Sequence, residues 1–581
     1  MIYSGARILV ESLIEEGVDT VFGIPGGYVL HIYDELFKCR DRIRHILVSH
    51  EQHAAHAADG YARSSGRVGV CIATSGPGAT NLVTGITAAY MDSTPLVAVT
   101  GNVPLHLLGK DSFQETDIAG ITMPVVKHNW IVKDVRELAE VVREAFIVAR
   151  GGRPGPVLID IPADISAAKT GWKPAGAAAW EDGSVLGSRA RRLSERAGRI
   201  TFSGADINRA VELIREAKRP MIYAGGGVNC SGASRELIAL AKVLHAPVAL
   251  SLMGTGVVPR DFPLYTGLIG MHGTTVSNRA VQKADLLIAA GARFSDRVTS
   301  RPDQFAKHAK ILHIDIDPAE INKNRSADFS VVGDVTIILE AILKKLPRSR
   351  EDGWNGEIEK LKAQSKKKLN RKAGKNLNPQ FIIEETAKRM SSNFSGNRGS
   401  NVLVATDVGQ HQIWAAQYYP LDKPRSFLSS GGLGAMGFGL GAALGAKLAN
   451  PDRTVVLFTG DGSFRMNNGE LAALCRYQIP LLIVLINNGS LGMVRQWQRV
   501  FCGGNFSETT LAPSPDFCTL VTAYGIRAFH AKTKEEFTAA LDGAQKEISG
   551  GKAVFIEAVI GEDELVLPMV PGGRPVNEQI V

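Results

Sequence analysis

From Gly460 to Asn488 the chain reads GDGSFRMNNGELAALCRYQIPLLIVLINN, and no other stretch constrains the fold as much. It follows an apolar β-branched run, Val455 to Thr459, that reads as a buried strand. It closes on a second such run, Leu481 to Ile486, ending in Asn487-Asn488. Between them Asn468 to Tyr477 has helical character, with Leu471, Leu474 and Cys475 on one face. Strand, helix and strand make a βαβ unit, whose crossover is right-handed in nearly all proteins. Both strands then end at one edge of a parallel sheet, where open α/β sheets bind ligands. There the Asp461 carboxylate and the Asn488 amide oxygen converge. Two hard oxygen ligands, with a backbone carbonyl near Ser490 and phosphate oxygens, suit octahedral Mg²⁺. Apart, Gly-Asp-Gly is a turn and Asn-Asn the start of a loop; the pair at this spacing carries the reading.

Together the two pieces resemble the diphosphate-anchoring motif of thiamin diphosphate (ThDP) enzymes, which is GDG, a spacer and NN. The resemblance implies that Gly460, Gly462 and Ser463 lie against the cofactor and that Asp461, Asn488 and Ser490 hold the metal.

The 581 residues exceed one ordinary core and suggest about three or four domains. Short β-branched runs alternate with helical stretches in three blocks. The first has strands at 19–24, 43–48, 69–74, 96–101 and 156–161; the second at 221–226, 247–251, 286–291 and 311–316; the third contains the opening motif. Such alternation predicts α/β architecture, three consecutive doubly wound parallel-sheet domains. The expected boundaries are 1–165, a linker at 166–205, a central domain at 206–346, a connecting arm at 347–377, a third domain at 378–560 and a tail at 561–581. The N-terminus reads as an amphipathic helix of the mature protein with three Glu, not a signal peptide.

No apolar run reaches the roughly eighteen residues of a membrane helix. The six cysteines lack CxxC spacing, which points to a reduced, cytoplasmic protein without a zinc site. A net charge of +8 raises nucleic acid as a partner. The basic residues nevertheless cluster at Arg189 to Arg199 and Lys366 to Lys375, without interleaved aromatics, so they read as solvated linkers.

ThDP chemistry also needs a carboxylic acid at N1′ of the cofactor's pyrimidine, in a dry pocket away from the metal. Glu51 in LVSHEQHAAHAADGYAR is the candidate, although on that segment alone it reads as a helix N-terminal acid. HEQ, AADGYAR and TSGPGATN together resemble the pyrimidine-binding domain of ThDP enzymes. That implies Glu51 as the N1′ partner and Thr74, Gly76, Pro77, Gly78 and Asn81 as cofactor neighbours. It further implies a homodimer or dimer of dimers, since in ThDP enzymes Glu51 and Asp461 of one site would lie on different chains.

Over essentially the whole chain the resemblance narrows to the acetolactate synthase (acetohydroxyacid synthase) catalytic-subunit family. GKDSFQETDIAG is similar to that family's FQE loop, placing Phe113 and Gln114 at the substrate. VGQHQIWAAQ and GGLGAMGFG resemble its third-domain motifs, with Val408, Gly409, Gln410 and His411 at the cofactor. Gly434 would meet the pyrimidine, and Met436 would bend the cofactor rings together. LGMVRQWQ puts Met493, Val494 and Trp497 in the pocket for the second 2-oxo acid. YAGGG, GMHG, GARFSDR and HIDIDP are similar to segments that hold a structural FAD, implying Gly225, Gly226, Gly227, Met271, Arg293 and Asp315.

The family's reaction decarboxylates pyruvate and joins the two-carbon unit to a second pyruvate or to 2-oxobutyrate, in branched-chain amino acid biosynthesis, in some members with a regulatory small subunit. Five residues depart from the family pattern: Tyr28 for a usual Ala, Asn102 for Gln, Ala163 for Lys, His53 for Gly and Gly469 for Gln. The first three lie near the expected substrate channel and bear on acceptor choice. They leave open a 2-oxo acid decarboxylase or carboligase with another acceptor. A scaffold without activity has no chemical need for Glu51, Asp461 and Asn488 together.

Overall fold

The computed structural model describes residues 1–175, 193, 202–346, 354–369, 376–391 and 401–581. Most of the linker expected at 166–205 and the ends of the arm expected at 347–377 lie outside the described residues.

Three six-stranded parallel sheets form the molecule, with helices on their faces. In the first, the strands run in the order Arg44–Leu47, Thr20–Gly23, Gly69–Ala73, Leu96–Asn102, Pro156–Pro162 and Asn129–Ile131. In the third they run Phe427–Leu428, Val402–Thr406, Thr454–Gly460, Leu482–Asn487, Val554–Val559 and Arg527–Ala531. Numbered within each domain, both orders are 2-1-3-4-6-5, so one architecture is used twice. The middle sheet runs Tyr265–Leu268, Val248–Leu250, Pro220–Ala224, Leu286–Ala290, Lys310–Asp315 and Phe329–Val332, which is the 3-2-1-4-5-6 order of dinucleotide-binding folds. Central strands such as Thr454–Gly460 and Leu286–Ala290 are buried along their whole length. Burial on both faces is why their sequences are continuous apolar runs.

Two local differences from the sequence reading have physical causes. Residues Ile2–Ser4 form a strand paired antiparallel with Lys169–Gly171, and the first helix begins only at Gly5, where the Ser4 hydroxyl caps it. The helix after the Gly-Asp-Gly turn begins at Asp461 itself, not at Asn468. It breaks into a 3₁₀ turn at Asn468–Glu470 and resumes at Leu471–Arg476, because Asn and Gly are poor helix formers.

The first and third domains meet through helices Glu51–Ser65 and Phe438–Ala449, which make the most extensive helix contact among the described residues. A Cβ at Gly60 would strike Ala442 backbone, and one at Gly445 would strike the Ala57 carbonyl. Glycine is required there because the two backbones touch. Residues after 560 cross back over the central domain: Val570 N donates to Met271 O at 2.8 Å and the Gln579 amide to Gly273 O at 2.8 Å.

Candidate active site

Strands Thr454–Gly460 and Leu482–Asn487 pair in register, Gly460 opposite Ile486, so Asp461 and Asn488 emerge at one sheet edge. Asp461 is buried, and desolvation raises its pKa to about 6. Among the described residues one of its oxygens has no partner, nor do the buried Ser490 hydroxyl and the buried Nε2 of His411. Burial drives the His411 pKa down to about 3, so its ring is neutral, and it lies against Gly409 and Gly460. Three unmatched polar groups around a glycine-lined edge fit a metal and diphosphate oxygens.

The side chain of Gln410 is engaged elsewhere. Its Nε2 donates to Gln496 Oε1 at 3.0 Å and Glu564 O at 2.8 Å, and its Oε1 accepts from Asn488 Nδ2 at 3.1 Å. Gln410 therefore holds the nitrogen end of the Asn488 amide, whose oxygen accepts from Ser490 N at 3.2 Å. Ser463 Oγ donates to Val408 O at 2.9 Å, and Gly462 lies beside the Met436 methyl, drawing both flanks of the motif together.

The sequence reading overlooked Asp407. This fully buried carboxylate accepts from Val408 N at 2.9 Å, Gly437 N at 2.8 Å, Gly439 N at 3.2 Å and Asn467 Nδ2 at 2.8 Å. It ties the Val408–His411 segment to the loop that carries Gly434 and Met436. The other end of that loop is held by Asp92, which accepts from Gly432 N at 2.7 Å and Gly431 N at 3.1 Å. An acid closing the apolar strand run VLVAT was the available signal for Asp407; nothing local marked Asp92.

In the first domain Glu51 is the first residue of its helix and is buried, with Oε2 accepting from Asn81 Nδ2 at 3.0 Å. Gly78 abuts its other oxygen, and Thr74, whose buried hydroxyl has no partner, packs against Gly26 and Gly78. Pro77 opens the helix Pro77–Asn81, and Gly76, at φ 55°, packs against Gln114 backbone. Phe113 is 80% exposed, and its carbonyl accepts from the Tyr28 hydroxyl at 3.2 Å. Asn102 does not turn outward: its amide donates to the buried Asp160 at 2.6 Å and accepts from Val103 N. Ala163 is the first residue of helix Ala163–Ala167.

A cavity of about 1730 Å³ opens at the switch point of the central sheet and runs to the third domain. Gly225, Gly226, Gly227, Met271, Arg293 and Asp315 line it, and so do Val408, Gly409, Gly434, Met436, Met493, Val494 and Trp497. Gly225 and Gly227 face Gly291 too closely for any side chain, which leaves a backbone cradle at a helix start. The Trp497 indole N–H is buried without a partner among the described residues, and the Arg297 guanidinium, also overlooked, lies 5.3 Å from the centroid of its ring. Glu51, Asn81, Phe113 and Gln114 are not on this cavity. Asp461, Asn488, Ser490 and His411 are not on it either.

Comparison with known proteins agrees across the chain. Models of thiamine pyrophosphate enzymes match at three places: the N-terminal TPP binding domain at residues 3–121, the central domain at 207–342 and the C-terminal TPP binding domain at 407–558. A probable acetolactate synthase large subunit of Methanocaldococcus jannaschii is 45% identical over 577 residues, covering 99% of this chain and 94% of its own. The acetolactate synthase large subunit of Corynebacterium glutamicum is 45% identical over 98% of this chain and 89% of its own. The isozyme 2 large subunit of Escherichia coli is 42% identical over 99% of both. The chain belongs to the acetolactate synthase large-subunit family of thiamine pyrophosphate enzymes.

Proposed function

We propose that the protein makes 2-acetolactate from two molecules of pyruvate, and 2-aceto-2-hydroxybutyrate where 2-oxobutyrate is the acceptor. ThDP, when bound, would supply the nucleophilic carbon that decarboxylation and two-carbon transfer need. The chain's residues bind, orient and keep water out. Asp461, Asn488 and a group at Ser490 would hold Mg²⁺, and His411 and the Gly409 and Gly460 backbones would flank the diphosphate. Met436, fixed through Asp407 and Asp92, presses on the rings. Glu51 engages the pyrimidine and shares its proton. Gln114 and Phe113 close over the substrate.

The observation that carries this reading is the junction of Met436, Met493, Val494 and Trp497 with Arg297 on one cavity. Apolar walls beside the Arg297 guanidinium suit a small 2-oxo acid, whose carboxylate pairs with Arg297 while its alkyl end faces Trp497. The glycine cradle of the same cavity fits FAD, in a role that needs no electron transfer. Glu51 is absent from the lining of the cavity on which Met436 lies, and in this reading each complete site draws Glu51 from a second copy. Leu30, Phe113, Met123, Met466 and Val494 are exposed apolar side chains of the kind such a pairing covers. A regulatory small subunit and a cytoplasmic location, with all six cysteines free, complete the proposal. Among the described residues no helix is long and apolar enough to cross a membrane.

Incubation with ThDP, Mg²⁺ and pyruvate, followed by mass analysis, tests the reading. Acetolactate is the expected main product. Acetaldehyde in its place would make the protein a decarboxylase, and Tyr28 beside Phe113 the first residue to exchange.

A further inference from the structure

Two of the departures from the family pattern, His53 and Gly469, meet in the fold. His53 is the third residue of helix Glu51–Ser65, and its Nδ1 lies 2.9 Å from Oε1 of Glu470, a carboxylate with no exposed surface. The same oxygen accepts from Ser49 N at 2.9 Å and His50 N at 3.2 Å. Ser49 Oγ donates to the Gly469 carbonyl at 2.7 Å, and Leu47 N donates to the Tyr477 hydroxyl at 2.8 Å. Five hydrogen bonds therefore pin residues 47–53 to the segment that follows the metal motif, and Glu51 stands inside that span. A Cβ at Gly469 would sit in ordinary van der Waals contact with Ser49, 3.5 Å from its Cβ.

The chemistry suits a positioning role. A buried carboxylate at a helix start is stabilised by backbone N–H groups and by the dipole, and a charge-assisted bond is short and directional. To donate to it, His53 carries its proton on Nδ1. Glu51 itself has one side-chain partner, Asn81, so the set of its carboxylate depends on where the helix begins. We infer that His53 and Glu470 are positioning residues that hold Glu51 at the angle its work on the cofactor requires. This rests on the reading of Glu51 given above.

The test is the rate at which the thiazolium C2 proton of bound ThDP exchanges with deuterium, measured beside ThDP affinity and melting temperature. His53→Phe keeps a ring but removes the donor; His53→Asn restores an N–H where Nδ1 stood. Misplacement of a reacting group by about 1 Å costs on the order of a hundredfold. His53→Phe is accordingly expected to slow exchange about ten- to a hundredfold with ThDP affinity within about twofold, and His53→Asn to recover most of it. Exchange at the parent rate in His53→Phe, or a loss that only follows affinity and melting, overturns the proposal. Glu470→Gln, which keeps shape and weakens the acceptor, gives the same readout should His53→Phe not fold. Glu51→Gln separates the two ideas. Normal exchange in that variant removes Glu51 from its role and the latch with it. Slow exchange there beside a normal His53→Phe removes the latch alone.

Discussion

The Asp407 carboxylate never needs to touch a cofactor to govern one. Burial raises its pKa, opposed by hydrogen bonds from Val408, Gly437, Gly439 and Asn467. In Asp407→Ala those three backbone N–H groups and one amide lose their acceptor, at about 1–3 kcal/mol for each left unpaired. A lower melting temperature and ThDP affinity weakened more than about tenfold are expected, read by thermal denaturation and cofactor titration. Intact affinity in a folded variant would contradict the role. Asp160 makes a different prediction. Desolvation raises its pKa to about 6 despite donors from Thr100 and Asn102, and the coulombic effect of Asp117 adds to the rise. A carboxyl with a raised folded pKa adds stability that is full below its unfolded value and is lost as pH rises through the folded one. The loss amounts to about 3 kcal/mol between pH near 4 and 6. Melting curves of the parent should fall with pH across that window, and those of Asp160→Asn should stay flatter. Parallel curves would mean that Asp160 ionises as freely folded as unfolded.

Helix Glu51–Ser65 is seated along its body by Phe438–Ala449, at its start by Glu470 and at its end by Arg63, which pairs with Asp59 and with Asp92. Gly445→Ala forces a methyl into rigid backbone at Ala57, where no flexible side chain can yield. Overpacking of this kind costs about 1–3 kcal/mol. The melting temperature should drop in Gly445→Ala and stay put in Gly561→Ala, where a Cβ meets open space. An equal response from both would show that the crossing is not tight. This element also marks the reach of sequence reading. Central strands such as Leu286–Ala290 were legible almost to the residue, because burial on both faces writes an unbroken apolar run, although the equally internal Val402–Thr406 and Val554–Val559 were not named. The strands Asn129–Ile131, Phe329–Val332 and Arg527–Ala531 escaped, being short and at or beside a sheet edge, with polar residues among the apolar. The ends of the motif, Asp461 and Asn488, were legible from two such strands. The His53–Glu470 contact was not, since it joins residues 417 positions apart through a domain interface that no local pattern encodes.

At the scale of the molecule, the same 2-1-3-4-6-5 sheet serves twice. One copy presents Glu51 at its strand ends; the other presents Asp461 and Met436. Within a chain the two copies pack through glycine-faced helices, and this packing leaves Glu51 off the cavity that Met436 lines. If each site takes Glu51 from one chain and Asp461 from the other, two defective chains can rescue one another. Glu51→Gln and Asp461→Ala homodimers should each be inactive. In a mixed dimer one site carries both lesions and the other carries neither. After unfolding and refolding of an equal mixture, half the dimers are mixed and half their sites are intact, so about a quarter of parental activity should return. Sites complete within single chains would return none, since every chain carries one lesion. Activity should also need the mixture to exchange partners: combining the two folded variants without a dissociation step should yield little until subunits redistribute. The result bears on the latch as well, for in such a dimer Glu470, nine residues past one site's metal ligand, fixes the acid of the other.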